Sequence, residues 1–322
     1  MMRKRGGIDL GGTKIQAVVV DSEGRPQGEA RGPTPFDAGP LGVAAAMAEV
    51  MREAAAAGGT DVGALAGVGV GSPGEVDTDA GTVSNVVNIR DWKDAFPVGP
   101  ELGSALGVPV VIANDVQVAT EAEATLGAGT DYSSLLGVFW GTGVGGGIVL
   151  DGKPWVGRGA AGEIGHVVVR RGGARCPCGR RGCMEAYAGR AAMEARARRL
   201  SKHGERTMLF EIMEERGRDR LTSGVWARAL ARGDTLAQDL IDRAVKALGA
   251  GIGSAVNLLD VEVVVIGGGL GLRFGEPMVE RIRIAMMRHV FADERPPDVR
   301  LATLGDLGGA IGGALRVPME SG

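Results

Sequence analysis

Cysteine is scarce in this sequence: three among 322 residues, all falling within eight residues at Cys176, Cys178 and Cys183. An odd number packed so closely is a poor disulfide framework and a good metal framework. Lysine is scarce too. Six of the 36 basic residues are Lys and the rest are Arg, which, with abundant Ala and Gly, reads as a genomic base-composition bias and not as a function. No basic patch dominates, and the net charge is −3, which argues against nucleic acid or a membrane surface as the main partner. No stretch of about 18 apolar residues runs free of charge or Gly, the length that a membrane helix needs. The opening MMRKRGGIDLGG is too short and Gly-rich for a signal peptide. A cytoplasmic protein is expected. No segment is low-complexity. Trp92, Trp140, Trp155 and Trp226 form no stripe, so core or cleft packing is their default, and His203 and His289 have no constellation around them.

What is present is length for two domains of ordinary size and an apolar fraction of 44%, enough for a full core. Residues 6–21, GGIDLGGTKIQAVVVD, read as strand, Gly-rich turn, strand. Helical periodicity runs from Leu41 to Ala57 and stops at Gly58-Gly59. Short buried strands are expected at 68–71 and 108–113, the second feeding a helix that opens at Asn114-Asp115 and runs towards Leu126. After the break at 127–130 the first pattern returns, as LLGVFWGTGVGGGIVLD at 135–151. Helices are expected over 186–201, 222–232 and 234–256, then the strand VEVVVIGGG and a helix from about Pro277. The last apolar segment, DLGGAIGGALRV, reads as helical, its glycines letting another element approach closely. The polar stretch 203–221 reads as irregular surface. Alternating strands and helices give an α/β fold, with two domains of related design.

Three constellations carry chemistry. The first is DLGGTK, Asp9 to Lys14, read as a set of ATP contacts that includes Lys14. Gly11 and Gly12 lack a Cβ, so backbone N–H groups can approach phosphate oxygens, Thr13 adds a hydroxyl, and Asp9 at a strand end can hold Mg²⁺. A tight hairpin turn is the bland reading. The recurrence at GTGVGGG (Gly141, Thr142, Gly143, Gly145) favours phosphate, because two such loops can grip one triphosphate. The Walker A pattern is absent, since Gly152-Lys153 is followed by Pro154. The stretch Gly267, Gly268, Gly269 lacks the third glycine of a dinucleotide fingerprint, which leaves a turn under the base and ribose of ATP or an ordinary strand-to-helix turn. The second constellation is Asn114-Asp115. An Asp in the first turn of a helix is a common cap. At the carboxyl end of a strand it is equally a base for a sugar hydroxyl attacking a γ-phosphate.

The third constellation is GEIGH followed by CPCGRRGCME. His166, Cys176, Cys178 and Cys183 make one imidazole and three thiolates, the donor set of closed, structural, tetrahedral zinc. Glu163 and Glu185 bracket these ligands without fitting a site already full, and can accept hydrogen bonds from sugar hydroxyls.

Together DLGGTK, SPGEVD (72–77), NxxxW (88–92), IANDVQ (112–117), WGTGVGGG, GEIGH, CPCGRRGCME and VIGGG resemble the ROK family of bacterial sugar kinases and repressors, in order from about residue 6 to 317. The resemblance implies an actin-like, ribonuclease H-like fold of two α/β domains with a cleft between them. It implies a small domain over 1–117, a large one over 118–302, and a C-terminal helix over about 303–322 packing back on the first. It implies Asp115 as catalytic base, and Gly74, Asn88, Asn114, Asp115, Glu163, His166 and Glu185 as hexose contacts. His166 would both ligate zinc and touch the sugar. A dimer or tetramer is usual for the family. Its ATP-dependent glucokinases match best, so ATP, Mg²⁺ and structural zinc are the implied cofactors and glucose or a related hexose the substrate. Ala122-Glu123 stands where many members have Gly-Glu, and NIRDW replaces a commoner loop; the first departure reads as leaving the chemistry untouched. Three rivals remain: a sugar-sensing regulator, which would carry a helix-turn-helix ahead of the first strand; a kinase for N-acetylmannosamine, N-acetylglucosamine or fructose; and a kinase that takes polyphosphate, whose dedicated members generally lack the cysteine cluster.

Overall fold

The structure is a computed structural model that describes residues 3–87 and 89–318. Asn88, one of the expected hexose contacts, lies outside the described residues. The chain divides into two compact units: one runs up to Thr130 and adds Pro154–Ala161 and the chain from Thr303 on, the other holds Asp131–Lys153 and Gly162–Ala302.

The first unit contains β1 (Arg5–Leu10), β2 (Lys14–Val20), β3 (Pro26–Pro33), α1 (Gly39–Ala57), β4 (Val68–Ser72), the short strands β5 (Glu75–Asp77) and β6 (Thr82–Ser84), α2 (Val98–Leu106), β7 (Val110–Asn114) and α3 (Asp115–Leu126). Its sheet has the order β3-β2-β1-β4-β7. The hairpin strands are antiparallel, while β1, β4 and β7 are parallel. Strand β2 shows why helices cover both faces. Successive side chains alternate, so Ile15, Ala17 and Val19 enter the core beneath α1, while Val18 and Val20 enter a second cluster with Ala122, Ala310, Ile311 and Ala314. Helix α3 lies whole in this unit, which runs 13 residues past the boundary expected at 117.

The second unit repeats the plan with β8 (Leu135–Trp140), β9 (Val144–Leu150), β10 (Lys153–Pro154), α4 (Glu185–Ala188), α5 (Arg190–Lys202), α6 (Leu209–Glu215), α7 (Ser223–Ala231), α8 (Thr235–Leu259), β11 (Val263–Gly267), α9 (Gly268–Phe274), α10 (Glu276–Met287) and β12 (Asp298–Leu301). Its order is β10-β9-β8-β11-β12, with β8 and β9 antiparallel and β8, β11 and β12 parallel. The same strand order in both units is the signature of the actin-like ATPase fold. The stretch 203–221 corrects the surface reading. Helix α6 sits there, with Leu209, Ile212 and Met213 buried, and Leu221 is buried beyond it. The apolar spacing i, i+3, i+4 was legible, but the charged residues on both sides masked it.

The last helix, α11 (Gly308–Leu315), belongs to the first unit. It lies so close to the sheet that a Cβ on Gly7 would come within 1.9 Å of the Ala310 carbonyl oxygen, and one on Gly69 within 1.8 Å of that of Gly313. Glycine on both strands is therefore a packing requirement. Among the described residues no helix is long and apolar enough to cross a membrane.

Candidate functional site

In the first unit the parallel strands end together. Asp9 pairs in register with Gly71, and Gly71 with Ala113, so the carboxyl ends of β1, β4 and β7 bring Asp9 and Asp115 to one edge. A Cβ on Gly71 would lie 3.3 Å from the Asp115 Cα, so glycine lets the start of α3 approach β4. Asn114 takes the capping role. Its Oδ1 accepts from the Val116 and Gln117 N–H groups, each at 3.1 Å, and any ligand contact falls to its amide nitrogen. Asp115 is thereby the first residue of the helix, its Oδ1 accepting from the Val116 N–H at 2.9 Å.

The first glycine turn spans Gly11–Thr13, with Gly12 and Thr13 exposed at its tip. It is closed by the Gly11 N–H donating to the Lys14 carbonyl at 2.9 Å, and braced from β3's end by Thr34, whose hydroxyl donates to the Gly11 carbonyl at 2.7 Å. Lys14 donates to Asp306 at 2.8 Å. Asp9 is held up to about pKa 7, first by burial, then by the negative charge of Asp115, with Lys14 opposing. Such a carboxylate pair is short of positive charge and fits a divalent cation. Gly74, elsewhere in this unit, has φ +91°, and a Cβ there would come within 2.5 Å of the Ser84 carbonyl oxygen.

In the second unit the matching turn is Gly141–Gly143, and Gly145 lies within β9 opposite Phe139. The start of α5 supports this turn: the Arg190 and Ala191 N–H groups donate to the Gly141 and Thr142 carbonyls, and Arg190 Nη2 donates to Thr142 Oγ1 at 2.7 Å. Glu185 reaches the same turn. Its Oε2 accepts from the Val144 N–H at 3.0 Å and would lie 2.3 Å from a Cβ on Gly143, so the carboxylate itself requires glycine there. The other oxygen, Oε1, faces Cys176 Sγ at 3.9 Å. Glu185 thus links the second glycine turn to the cysteine cluster.

That cluster is compact. The ligand atoms of His166, Cys176, Cys178 and Cys183 all lie within 4.8 Å of one another. Cys178 and Cys183 sulfurs are 3.7 Å apart, as are Cys176 Sγ and His166 Nδ1. A tetrahedral zinc ion with Zn–S bonds of about 2.3 Å spaces its sulfurs by ~3.8 Å, so the four donors already stand at ligand spacing. Burial pushes the Cys176 thiol up to about 12, while the Arg180 backbone N–H holds Cys178 below the usual thiol range. Ionising the whole set therefore calls for a cation. The local fold allows the knuckle because Gly179 and Gly182 take positive φ, and a Cβ on Gly182 would meet the Arg170 carbonyl oxygen at 1.9 Å. With Nδ1 towards the thiols, His166 turns Nε2 to Glu163, 3.8 Å away.

At the third glycine stretch Gly267 ends β11, while Gly268 and Gly269 open α9. Packing alone explains two of them: a Cβ on Gly267 would strike the Phe139 ring at 2.7 Å, and one on Gly268 the Trp140 backbone at 2.6 Å. Gly269 faces open space.

Two supports went unread in the sequence. Thr34 is one. Glu123 is the other: buried, it accepts from the Ala128, Thr303 and Leu304 N–H groups at 2.9, 3.1 and 2.8 Å, tying the end of α3 to the segment that leads into α11. Its place beside a Gly-Ala-Gly break was visible, but its partners Thr303 and Leu304 lie about 180 residues away.

Residues 5–319 match the ROK family. The chain belongs to that family. A glucokinase of Halalkalibacterium halodurans is 32% identical, with 98% of this chain and 94% of the relative covered. An N-acetyl-D-glucosamine kinase of Salmonella paratyphi B is 30% identical, with 96% of this chain and 97% of the relative covered. Among solved structures, a ROK family glucokinase from Streptomyces griseus in complex with glucose and AMPPNP has a TM-score of 0.82 and 32% identity, over 97% of this chain and 98% of its own.

Proposed function

We propose that this ROK protein is an ATP-dependent glucokinase, transferring the γ-phosphoryl group of ATP to the 6-hydroxyl of glucose. The observation that carries the reading is Asp115, a carboxylate at the first turn of α3, on the same strand-end edge as Asp9 and beside the first glycine turn. Asp115 accepts the proton of the sugar hydroxyl as that oxygen bonds to the γ-phosphorus and the bond to the β-phosphate oxygen breaks, releasing ADP. The turns Gly11–Thr13 and Gly141–Gly143 offer backbone N–H groups to the phosphates. Asp9 would hold the magnesium of Mg·ATP, which supplies charge neutralisation when bound. Glu163, His166 Nε2 and the Asn114 amide are the groups assigned to sugar hydroxyls, and Glu185 joins them from between the second turn and the knuckle.

Zinc is assigned to His166, Cys176, Cys178 and Cys183. Four protein ligands fill a tetrahedral shell, so the ion's contribution is to fix the knuckle, the His166 ring and the base of α4. Glucose as substrate rests on the relatives named glucokinase; the N-acetylglucosamine kinase among the relatives keeps an N-acetylated hexose as the second reading. An ATP-coupled assay over a panel of hexoses and N-acetylhexosamines tests both. Glucose should give the highest kcat/KM. A higher value for N-acetylglucosamine installs the second reading, and no ATP-dependent turnover with any sugar removes the kinase.

A further inference from the structure

Behind the cysteine knuckle the second unit carries a groove of about 990 Å³. Its lining includes none of Glu163, His166 or Glu185 and none of the three glycine turns. One wall is the knuckle segment, which contributes Arg170, Arg171, Arg175 and Arg181. The other is formed by α5 and α8, which contribute Arg196, Arg199 and Arg243. No Asp or Glu lines it.

Seven guanidinium groups around one concavity are out of keeping with a chain of net charge −3. Some arginines of the unit find carboxylates and others do not. Arg198, Arg232, Arg281, Arg283, Arg295 and Arg300 each pair with a carboxylate. Among the described residues none of the seven groove arginines does so. The half-buried Arg196 is the sharpest case: its Nε is buried with no hydrogen-bond partner. Burial and then the like charges of Arg243 and Arg199 lower its pKa. Arg243 lies over the Tyr187 ring, 5.5 Å from its centroid, which sets the direction of its fork. Leaving the Arg196 guanidinium partly desolvated beside Arg243 and Arg199 costs stability unless an anion completes it.

We infer that this groove binds a compound with three or more linked phosphate groups. The groove is at the upper end of ligand-pocket volumes, roughly 300–1,000 Å³, so a single phosphate fills little of it and linked phosphates fill more. Guanidinium forks match phosphate oxygens in bidentate geometry. The ligand would touch the knuckle on one side and α5 on the other. Helix α5 begins at Arg190, the residue that holds Thr142. A nucleotide polyphosphate and an inorganic phosphate chain share this chemistry.

The test uses the full, zinc-loaded chain and reads binding by calorimetry, so its outcome does not depend on whether glucose is phosphorylated. The probes are inorganic tripolyphosphate, GTP and orthophosphate. The double variant R171E/R199E reverses two exposed, unpaired arginines, one on each wall. Tripolyphosphate, GTP or both should bind the parent, at least tenfold tighter than orthophosphate, and at least tenfold weaker in the variant, with zinc content and ATP-dependent turnover unchanged. The tighter of the two identifies the source, an inorganic chain or a nucleotide. R171Q/R199Q, the milder change, should weaken the same probe at least threefold. Equal binding to parent and variants overturns the site, as does orthophosphate binding as tightly as tripolyphosphate. So does a drop in the variant's mass by light scattering without loss of tripolyphosphate binding, which would make the groove a contact between copies of this chain.

Discussion

Replacing Asp9 by Asn should stabilise the ligand-free protein while disabling it. Asp9 rises from an ordinary 3.8 to about 7, chiefly through burial and the charge of Asp115. Its proton therefore binds the folded chain more tightly than the unfolded one. The stability this contributes is fully present below pH 3.8 and is lost as the pH climbs through about 7. The interval is about three pH units, and at ~1.4 kcal/mol per unit the ionised Asp9 costs the empty fold about 4 kcal/mol at pH 8. D9N has no such charge. Urea unfolding of both proteins at pH 5 and pH 8 measures the difference. Between those pH values the stability of D9N relative to the parent should grow by ~2–3 kcal/mol, since part of the slope lies below pH 5. Glu121, also raised by burial, adds its slope to both proteins and cancels. Magnesium should stabilise the parent at pH 8 and leave D9N unmoved. A relative stability that does not change between pH 5 and pH 8, or that falls, refutes the reasoning about this edge of the sheet.

Cys178→Ser should lower metal from about one zinc per chain to near zero by elemental analysis, because three donors remain for a four-coordinate ion; zinc-free parent protein purified without chelator would count against the knuckle. Glu123→Ala leaves three N–H groups without their carboxylate, and at ~1–3 kcal/mol for each unsatisfied donor it should cost roughly 3–9 kcal/mol in urea unfolding. Cleavage by protease near residues 303–307 should accelerate in the same variant, and unchanged stability would show that water replaces the carboxylate.

Much of this was legible in the sequence, for identifiable reasons. The paired strand–turn–strand patterns announced the repeated antiparallel hairpin, because its strands are covered on both faces and so read as near-continuous apolar runs joined by a glycine turn. The knuckle was legible because metal coordination fixes residue type and spacing at once. Asn114 and Asp115 were found as a pair, yet which of them caps α3 is decided by backbone geometry that neighbouring residue types do not encode. Glu185 was assigned to the sugar on its position beside the cysteines; its bond to Val144 spans 41 residues and explains Gly143, which had been read as a phosphate glycine. Gly267 and Gly268 show the same ambiguity, since a glycine required by packing and one required by a ligand look alike in one dimension. Helix α6 was missed because two flanking charged stretches outweighed a short apolar stripe.

The central claim is that Asp115 is the general base of a sugar kinase, and Asp115→Asn tests it most directly. The amide keeps the shape and the hydrogen bond from the Val116 N–H but cannot take a proton from the sugar. Steady-state turnover with Mg·ATP and glucose, alongside glucose binding by calorimetry, should show kcat reduced by about 10²–10⁴-fold and glucose affinity within a few fold of the parent. Near-normal kcat in D115N, with glucose still bound, would contradict the account.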